Sequence, residues 1–136
     1  MDKQEVIDLI KDAGYGVLAT VEGDTPKARP MMPYLTEEGD LLIATMAQKR
    51  VVGQIKANSR VEVCFIDRKM NFARVSGNAS VSNDMENKKL IWNNVPMLRQ
   101  YFSGPEDANF ILVRIDTSTV ETMTPQQMEP EVLKLK

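Results

Sequence analysis

The chain has 136 residues, 43% of them hydrophobic and 26% charged, with 17 basic against 19 acidic side chains and a net charge of −2. That length and balance suit one globular domain and exclude disordered or fibrous classes, while scattered cations on a slightly acidic chain exclude a non-specific nucleic-acid binder. With no histidine and one cysteine, Cys64, internal disulfides, cysteine metal clusters, histidine-dependent triads and zinc hydrolases drop out.

No run of about 18 apolar residues occurs, and Met1-Asp2-Lys3-Gln4-Glu5 lacks the basic-then-apolar layout of a secretory signal. The expected location is cytoplasmic, with no membrane partner. Asp2 followed by Glu5 resembles a capping box, and Val6, Leu9, Ile10 and Ala13 recur at helical spacing before Gly14, predicting a helix over 3–13. From Tyr15 to Val21 the period is that of a mostly buried strand, and Glu22-Gly23-Asp24 is a tight turn. The second arm of this hairpin is expected from Lys27 to Thr36. Pro30 and Pro33 cannot donate ladder bonds, which places the arm at an edge, a bulge or a site boundary.

Glu37 to Asp40 makes the next turn, Leu41 to Thr45 the next strand, and a helix carrying Val51, Val52 and Ile55 runs to about Asn58. Strands follow over Arg60–Asp67 and Phe72–Asn83, with Gly77 marking a bulge or a close backbone approach. Asp84 caps a helix through Trp92, and Pro96 sits where a first helical residue belongs. Phe110 to Ile115 is the last clear strand, continuing toward Met123. The expected organisation is one domain over 1–123 with a C-terminal tail over 124–136. Its fold class is mainly β, a small antiparallel barrel of six or seven strands flanked by short helices, since a flat open sheet would leave long edges. Cys64 lies in one of those strands and reads as a small buried hydrophobe rather than a nucleophile.

Two segments carry candidate chemistry. Lys49 and Arg50 are expected in the first turn of a helix, where the unpaired N–H groups and the positive dipole end disfavour cations by about 0.3–1 kcal/mol. A docked anion such as a phosphate reverses that sign, because Thr45, Gln48, both cations and the helix N–H groups would converge on it. From spacing alone, two ordinary solvated charges are an equally good reading. One hairpin earlier, Arg29-Pro30-Met31-Met32-Pro33 joins a fixed backbone to polarisable methionines that could pave one side of a planar heteroaromatic ring. The simpler alternative is an edge strand with two core methionines. The segments lie on elements adjacent in sequence, which are usually adjacent in space, and a phosphate site beside an apolar slot describes a nucleotide-like cofactor.

With Gly16 to Val21, Arg29 to Pro33, Ala44-Thr45, Gln48 to Val51, Asn58 to Val61 and Val75 to Ala79 in this order, the chain resembles the pyridoxamine 5'-phosphate oxidase-like FMN-binding split β-barrels over about residues 4–115. More closely it is similar to their short, general stress protein 26-like branch. The resemblance implies a homodimer with FMN at the subunit interface, Arg29, Pro30, Met31 and Met32 lining the flavin ring, and Thr45, Gln48, Lys49 and Arg50 holding the ribityl phosphate. The family usually has a serine where this chain has Gln48, though an amide can still donate to phosphate.

Where true pyridoxamine phosphate oxidases carry a flavin-contacting glutamine, this chain has Phe72. It also lacks their C-terminal segment with a substrate-binding arginine and histidine, so the parent reaction is not expected. The implied function is an FMN-dependent oxidoreductase acting on an unidentified small molecule, with a reduced nicotinamide or another electron donor. A non-enzymatic flavin-binding dimer, acting as carrier, electron-transfer partner or sensor, is the alternative; an oligonucleotide-binding barrel is disfavoured by acidity and few aromatics. No catalytic residue is singled out. Tyr15, Tyr34 and Tyr101 are equal candidates for a proton donor, and Trp92 and Phe110 are either core packing or a cover for a partner's flavin.

Overall fold

In the computed structural model, which describes residues 1–136, the capping box at the start of the chain is formed. Asp2 Oδ1 accepts from the Glu5 N–H at 2.9 Å, Glu5 Oε1 accepts from the Asp2 N–H at 3.3 Å, and the helix α1 (Lys3–Ala13) ends at Gly14 with φ 75°. Its buried face is Val6, Leu9 and Ile10. The strands are β1 (Gly16–Glu22), β2 (Thr25–Met31), β3 (Tyr34–Leu35), β4 (Leu41–Met46), β5 (Arg60–Ile66), β6 (Phe72–Ser82), β7 (Phe110–Met123) and β8 (Glu131–Leu133). Helix α2 (Arg50–Ala57) lies between β4 and β5, and α3 (Met85–Asn94) with a 3-10 turn over Pro96–Gln100 lies between β6 and β7. No helix is long and apolar enough to cross a membrane.

All pairings are antiparallel, and the strands run in the order β2-β1-β5-β6-β7-β4-β3, with β8 on β7. The two strands at the ends of that order, β2 and β3, are consecutive in the chain with only Met32 and Pro33 between them. So short a link forces the two edges of the sheet together. The sheet therefore rolls into a split barrel whose seam is crossed by covalent chain instead of a hydrogen-bonded ladder. Proline explains the seam: Pro26 and Pro30 sit on β2, which pairs on one side alone, and Pro33 cannot extend a ladder.

The barrel interior holds one core that includes Leu18, Ile43, Val63, Phe65, Val75 and Ile115, with α1 and α2 packed against it. A second, smaller core of Leu42, Ile91, Val95, Leu98, Phe102, Phe110 and Leu112 lies beneath α3 and the 3-10 turn. Gly77 meets both expectations for it. The β6–β7 register shifts between Ser76 and Gly77, and a Cβ there would collide with the backbone carbonyl of Asp116 and lie 2.9 Å from Ile115 Cγ2.

Three boundaries differ from those expected. The arm over 27–36 is two strands, because the link at Met32-Pro33 turns the chain across the seam. Helix α2 starts at Arg50, with Lys49 as its N-cap residue instead of a first-turn residue. The segment 124–136, read as a tail, contributes β8, and Leu135 is only 3% exposed in the main core. The added short strands β3 and β8 bring the sheet to eight.

Candidate functional site

The end of β2, the end of β4 and the start of α2 meet at the seam. Between them lies a cavity of about 610 Å³, bordered on its polar side by Lys27, Arg29, Thr45, Gln48, Lys49 and Arg50. A slot of about 420 Å³ continues from it, with Met32, Met46, Met97, Tyr15, Tyr101 and Phe102 among its walls. Both are bounded by Pro30, Met31, Thr45 and Lys49, so one cleft has a cationic end and an apolar end. Each volume is in the range of small-ligand sites. All eight residues expected to hold a cofactor border this cleft.

The chain turns from β4 into α2 through Ala47 and Gln48, with the Lys49 N–H donating to the Met46 carbonyl at 3.0 Å. Lys49 has extended backbone angles and makes no side-chain cap bond, and the first turn of α2 carries no acidic residue. The helix thus begins without the oxygen acceptor that Ser, Thr, Asp or Asn would supply. A helix start of this kind has N–H groups open to an external anion. Thr45, 8% exposed, and Gln48 add neutral donors beside that helix end.

The two arginines of the cleft already have partners within the chain. Arg50 Nη2 donates to Glu22 Oε1 at 2.6 Å, from a side chain 77% exposed. Arg29 lies opposite Leu18 on β1 and folds under α2. It donates to the Leu18 carbonyl at 3.2 Å, Thr20 Oγ1 at 2.8 Å and Gln54 Oε1 at 2.7 Å. Its guanidinium is held by this internal network at the cationic end of the cleft. Burial pulls the Arg29 pKa down, opposed by the charge of Glu22. The Glu22 carboxyl is held below its usual range first by the hydrogen bond from Gln54, then by Arg50 and Lys27.

Met31 packs against the barrel core and Met32 against the second core, which fixes them on either side of the seam. Of the three tyrosines, Tyr15 and Tyr101 border the apolar slot, 52% and 56% exposed, whereas Tyr34 borders a separate groove with Ile10 and Val95. Phe110 is 1% exposed and tilted against Phe102 at 4.9 Å, so it is core packing. Trp92 is half-buried, with the Arg99 guanidinium 4.7 Å over its ring. Phe72 begins β6 under Arg74, in the middle of the sheet order and away from the edge strands β2 and β3 that form the seam. Cys64 is half-buried in β5, and burial raises its pKa, as suits a structural thiol.

Lys27, Gln54, Met46 and Met97 were not legible as cleft residues. Gln54 had a signal: it falls on the buried face of α2 with Val51, Val52 and Ile55, where a polar side chain needs a reason. Met97 reaches the slot from a segment far along the chain, which spacing cannot reveal.

A rolled antiparallel sheet with a two-ended cleft at its seam defines a ligand-binding split barrel. The family model described as "Pyridoxamine 5'-phosphate oxidase like" matches residues 1–127, and the chain belongs to that family. Within it, the chain falls in the general stress protein 26-like branch. It is 26% identical to general stress protein 26 of Bacillus subtilis (strain 168), with 98% of this chain and 96% of that one covered. It is 30% identical to the solved general stress protein 26 from Bacillus anthracis str. Sterne, with 97% of each chain covered and a TM-score of 0.83.

More distant structures share the fold alone and differ in the cofactor described for them. One is a pyridoxamine 5'-phosphate oxidase-related, FMN-binding protein from Nostoc punctiforme PCC 73102, at 15% identity, TM-score 0.71 and coverage of 95% and 85%. Another is a haem-binding protein from Mycobacterium smegmatis, at 12% identity and TM-score 0.80, covering 98% of this chain and 57% of that one.

Proposed function

We propose that the cleft binds FMN and that the protein is an FMN-dependent oxidoreductase acting on a small molecule. The observation that carries this reading is the continuity of the cationic cavity with the apolar slot through Pro30, Met31, Thr45 and Lys49. In this reading Lys49, Thr45, Gln48 and the first N–H groups of α2 hold the phosphate, with Arg50 at the rim. Pro30, Met31 and Met32 present the ring with a rigid backbone and polarisable thioethers.

Bound FMN would supply the redox chemistry by accepting and passing on a hydride, with a reduced nicotinamide as a candidate donor. The chain's own part is to orient the ring, exclude water from its methionine-lined face and offer the hydroxyls of Tyr15 and Tyr101 as proton donors within the slot. Neither histidine nor a carboxylate borders that slot, and this favours a second reading in which flavin is bound without turnover. A homodimer belongs to the same proposal: the slot is open and Tyr15, Met97 and Tyr101 are exposed, so a second copy would cover the ring. A cytoplasmic location belongs to it as well.

An absorption spectrum of the purified protein, with and without added FMN, tests the proposal. Flavin bands that remain after gel filtration support it, whereas colourless protein that takes up no FMN overturns it. Reduction by a nicotinamide followed by reoxidation with a small acceptor separates the enzyme from the carrier.

A further inference from the structure

Gln54 borders the cationic cavity and Glu22 lies just outside it, and together they organise that end of the cleft. Gln54 is 6% exposed, and its amide is used at both atoms. Its Oε1 accepts from Arg29 Nη2 at 2.7 Å and from Thr20 Oγ1 at 2.6 Å, while its Nε2 donates to Glu22 Oε2 at 2.9 Å. With Oε1 facing two donors and Nε2 facing a carboxylate, the amide has one satisfactory orientation. Arg29 is pinned by Gln54, Thr20 and Leu18 through three of the five donors of a guanidinium, and the other two are not taken up by the network.

Glu22 closes the chain of contacts from the other side. Its Oε1 holds Arg50 at 2.6 Å. Arg50 borders the 610 Å³ cavity on one side and, on the other, a shallow groove that includes Glu22, Gly53 and Gln54. Its side chain is 77% exposed, so this long flexible group can serve a partner on either side. A dianionic phosphate in the cavity and the Glu22 carboxylate are then rivals for one cation.

We infer that Gln54 is a positioning residue that holds Arg29 at the phosphate end of the cleft, and that Glu22 is a resident counter-ion competing with ligand phosphate for Arg50. Together they set how strongly the site prefers a phosphorylated flavin over an unphosphorylated one. The inference rests on the flavin reading above and goes beyond it, because neither residue is among those that reading assigns to hold the flavin.

The experiment is a fluorescence titration of FMN and of riboflavin against the wild-type chain, Gln54→Met and Glu22→Gln, each checked by circular dichroism melting. Methionine keeps the length of Gln54 and removes both hydrogen-bonding functions. Gln54→Met is expected to weaken FMN by about tenfold while riboflavin changes by less than about twofold, since a charge-assisted hydrogen bond to phosphate is what is lost. Glu22→Gln is expected to tighten FMN by about two- to fivefold without affecting riboflavin, the range of one exposed ion pair. A purely structural role would move both ligands together, so equal losses for FMN and riboflavin in Gln54→Met overturn the inference. Unchanged or weaker FMN binding in Glu22→Gln also overturns it. If Gln54→Met fails to fold, Glu22→Gln decides alone, as its position is half-exposed. Wild-type protein that binds neither ligand removes the flavin reading and this inference with it, whereas tight wild-type binding with silent variants removes this inference only.

Discussion

Lys136 Nζ lies 2.7 Å from Asp40 Oδ1, so the end of β8's segment is fastened to the turn that starts β4. Asp40 is 6% exposed and also accepts from Arg114 Nε and Nη2 at 3.2 and 2.7 Å, and Leu135 beside Lys136 is buried in the main core. The C-terminal segment therefore acts as a strap that holds β4, and β4 delivers Thr45 to the cleft.

Leu135→Ala should destabilise the fold by about 2–3 kcal/mol, the usual loss for a buried leucine. Asp40→Asn should have an effect of similar size, because it leaves Arg114 and Lys136 without their shared carboxylate. Urea unfolding checks both. An unchanged midpoint for Leu135→Ala would show that the strap contributes nothing.

The strap also predicts a pH dependence. The hydrogen bond from Lys136 lowers the Asp116 pKa, and Asp116 in turn raises that of Lys136. A depressed carboxylate contributes stability that is present above its unfolded pKa and lost as pH falls through its folded value; a raised amine contributes below its unfolded pKa and loses that only in strong alkali. The melting difference between the wild-type chain and Lys136→Ala should therefore hold from about pH 6 to 9 and shrink below about pH 4. Melts at pH 3, 7 and 9 measure it.

At the cationic end of the cleft, Lys49→Ala should cost more FMN affinity than Arg50→Ala, because Arg50 is already paired with Glu22. The expected loss is about tenfold or more for Lys49→Ala, with a larger loss for the double variant and no change in the fold. Fluorescence titration that ranks Arg50→Ala above Lys49→Ala would place the phosphate on the other side of the helix start.

At the apolar end, Met31→Asp should weaken FMN and riboflavin alike, since it puts a charge against the ring and leaves the phosphate contacts untouched. A loss confined to FMN would show that Met31 faces the phosphate instead.

Gly77→Ala should destabilise the fold by about 1–3 kcal/mol, because its Cβ would press on the Asp116 backbone carbonyl, which cannot swing aside. Thermal melting gives the answer directly.

The capping box at Asp2 and Glu5, the bulge at Gly77, the N-cap at Asp84 and the alternation in β1 and β5 were legible because each depends on residues close in sequence. The eight cleft residues were named from two short segments, since a helix start without an acidic residue and a proline-methionine run are local anomalies. The order within the C-terminal segment was not legible, for the opposite reason. Three residues of β8 have no periodicity to read, and they become a strand only because β7 offers a free edge at Val120 to Thr122.

The sequence by itself determined where most helices, strands and turns fall, and that a cationic helix start follows an apolar strand, because propensity, capping and hydrophobic period act over a few residues. Only the tertiary structure decided which cations are free. The rolled sheet brings Glu22 from β1 against Arg50 and Gln54 from α2 against Arg29, and the competition between a neighbouring carboxylate and an external anion is a matter of distance in space, on which spacing along the chain has no bearing.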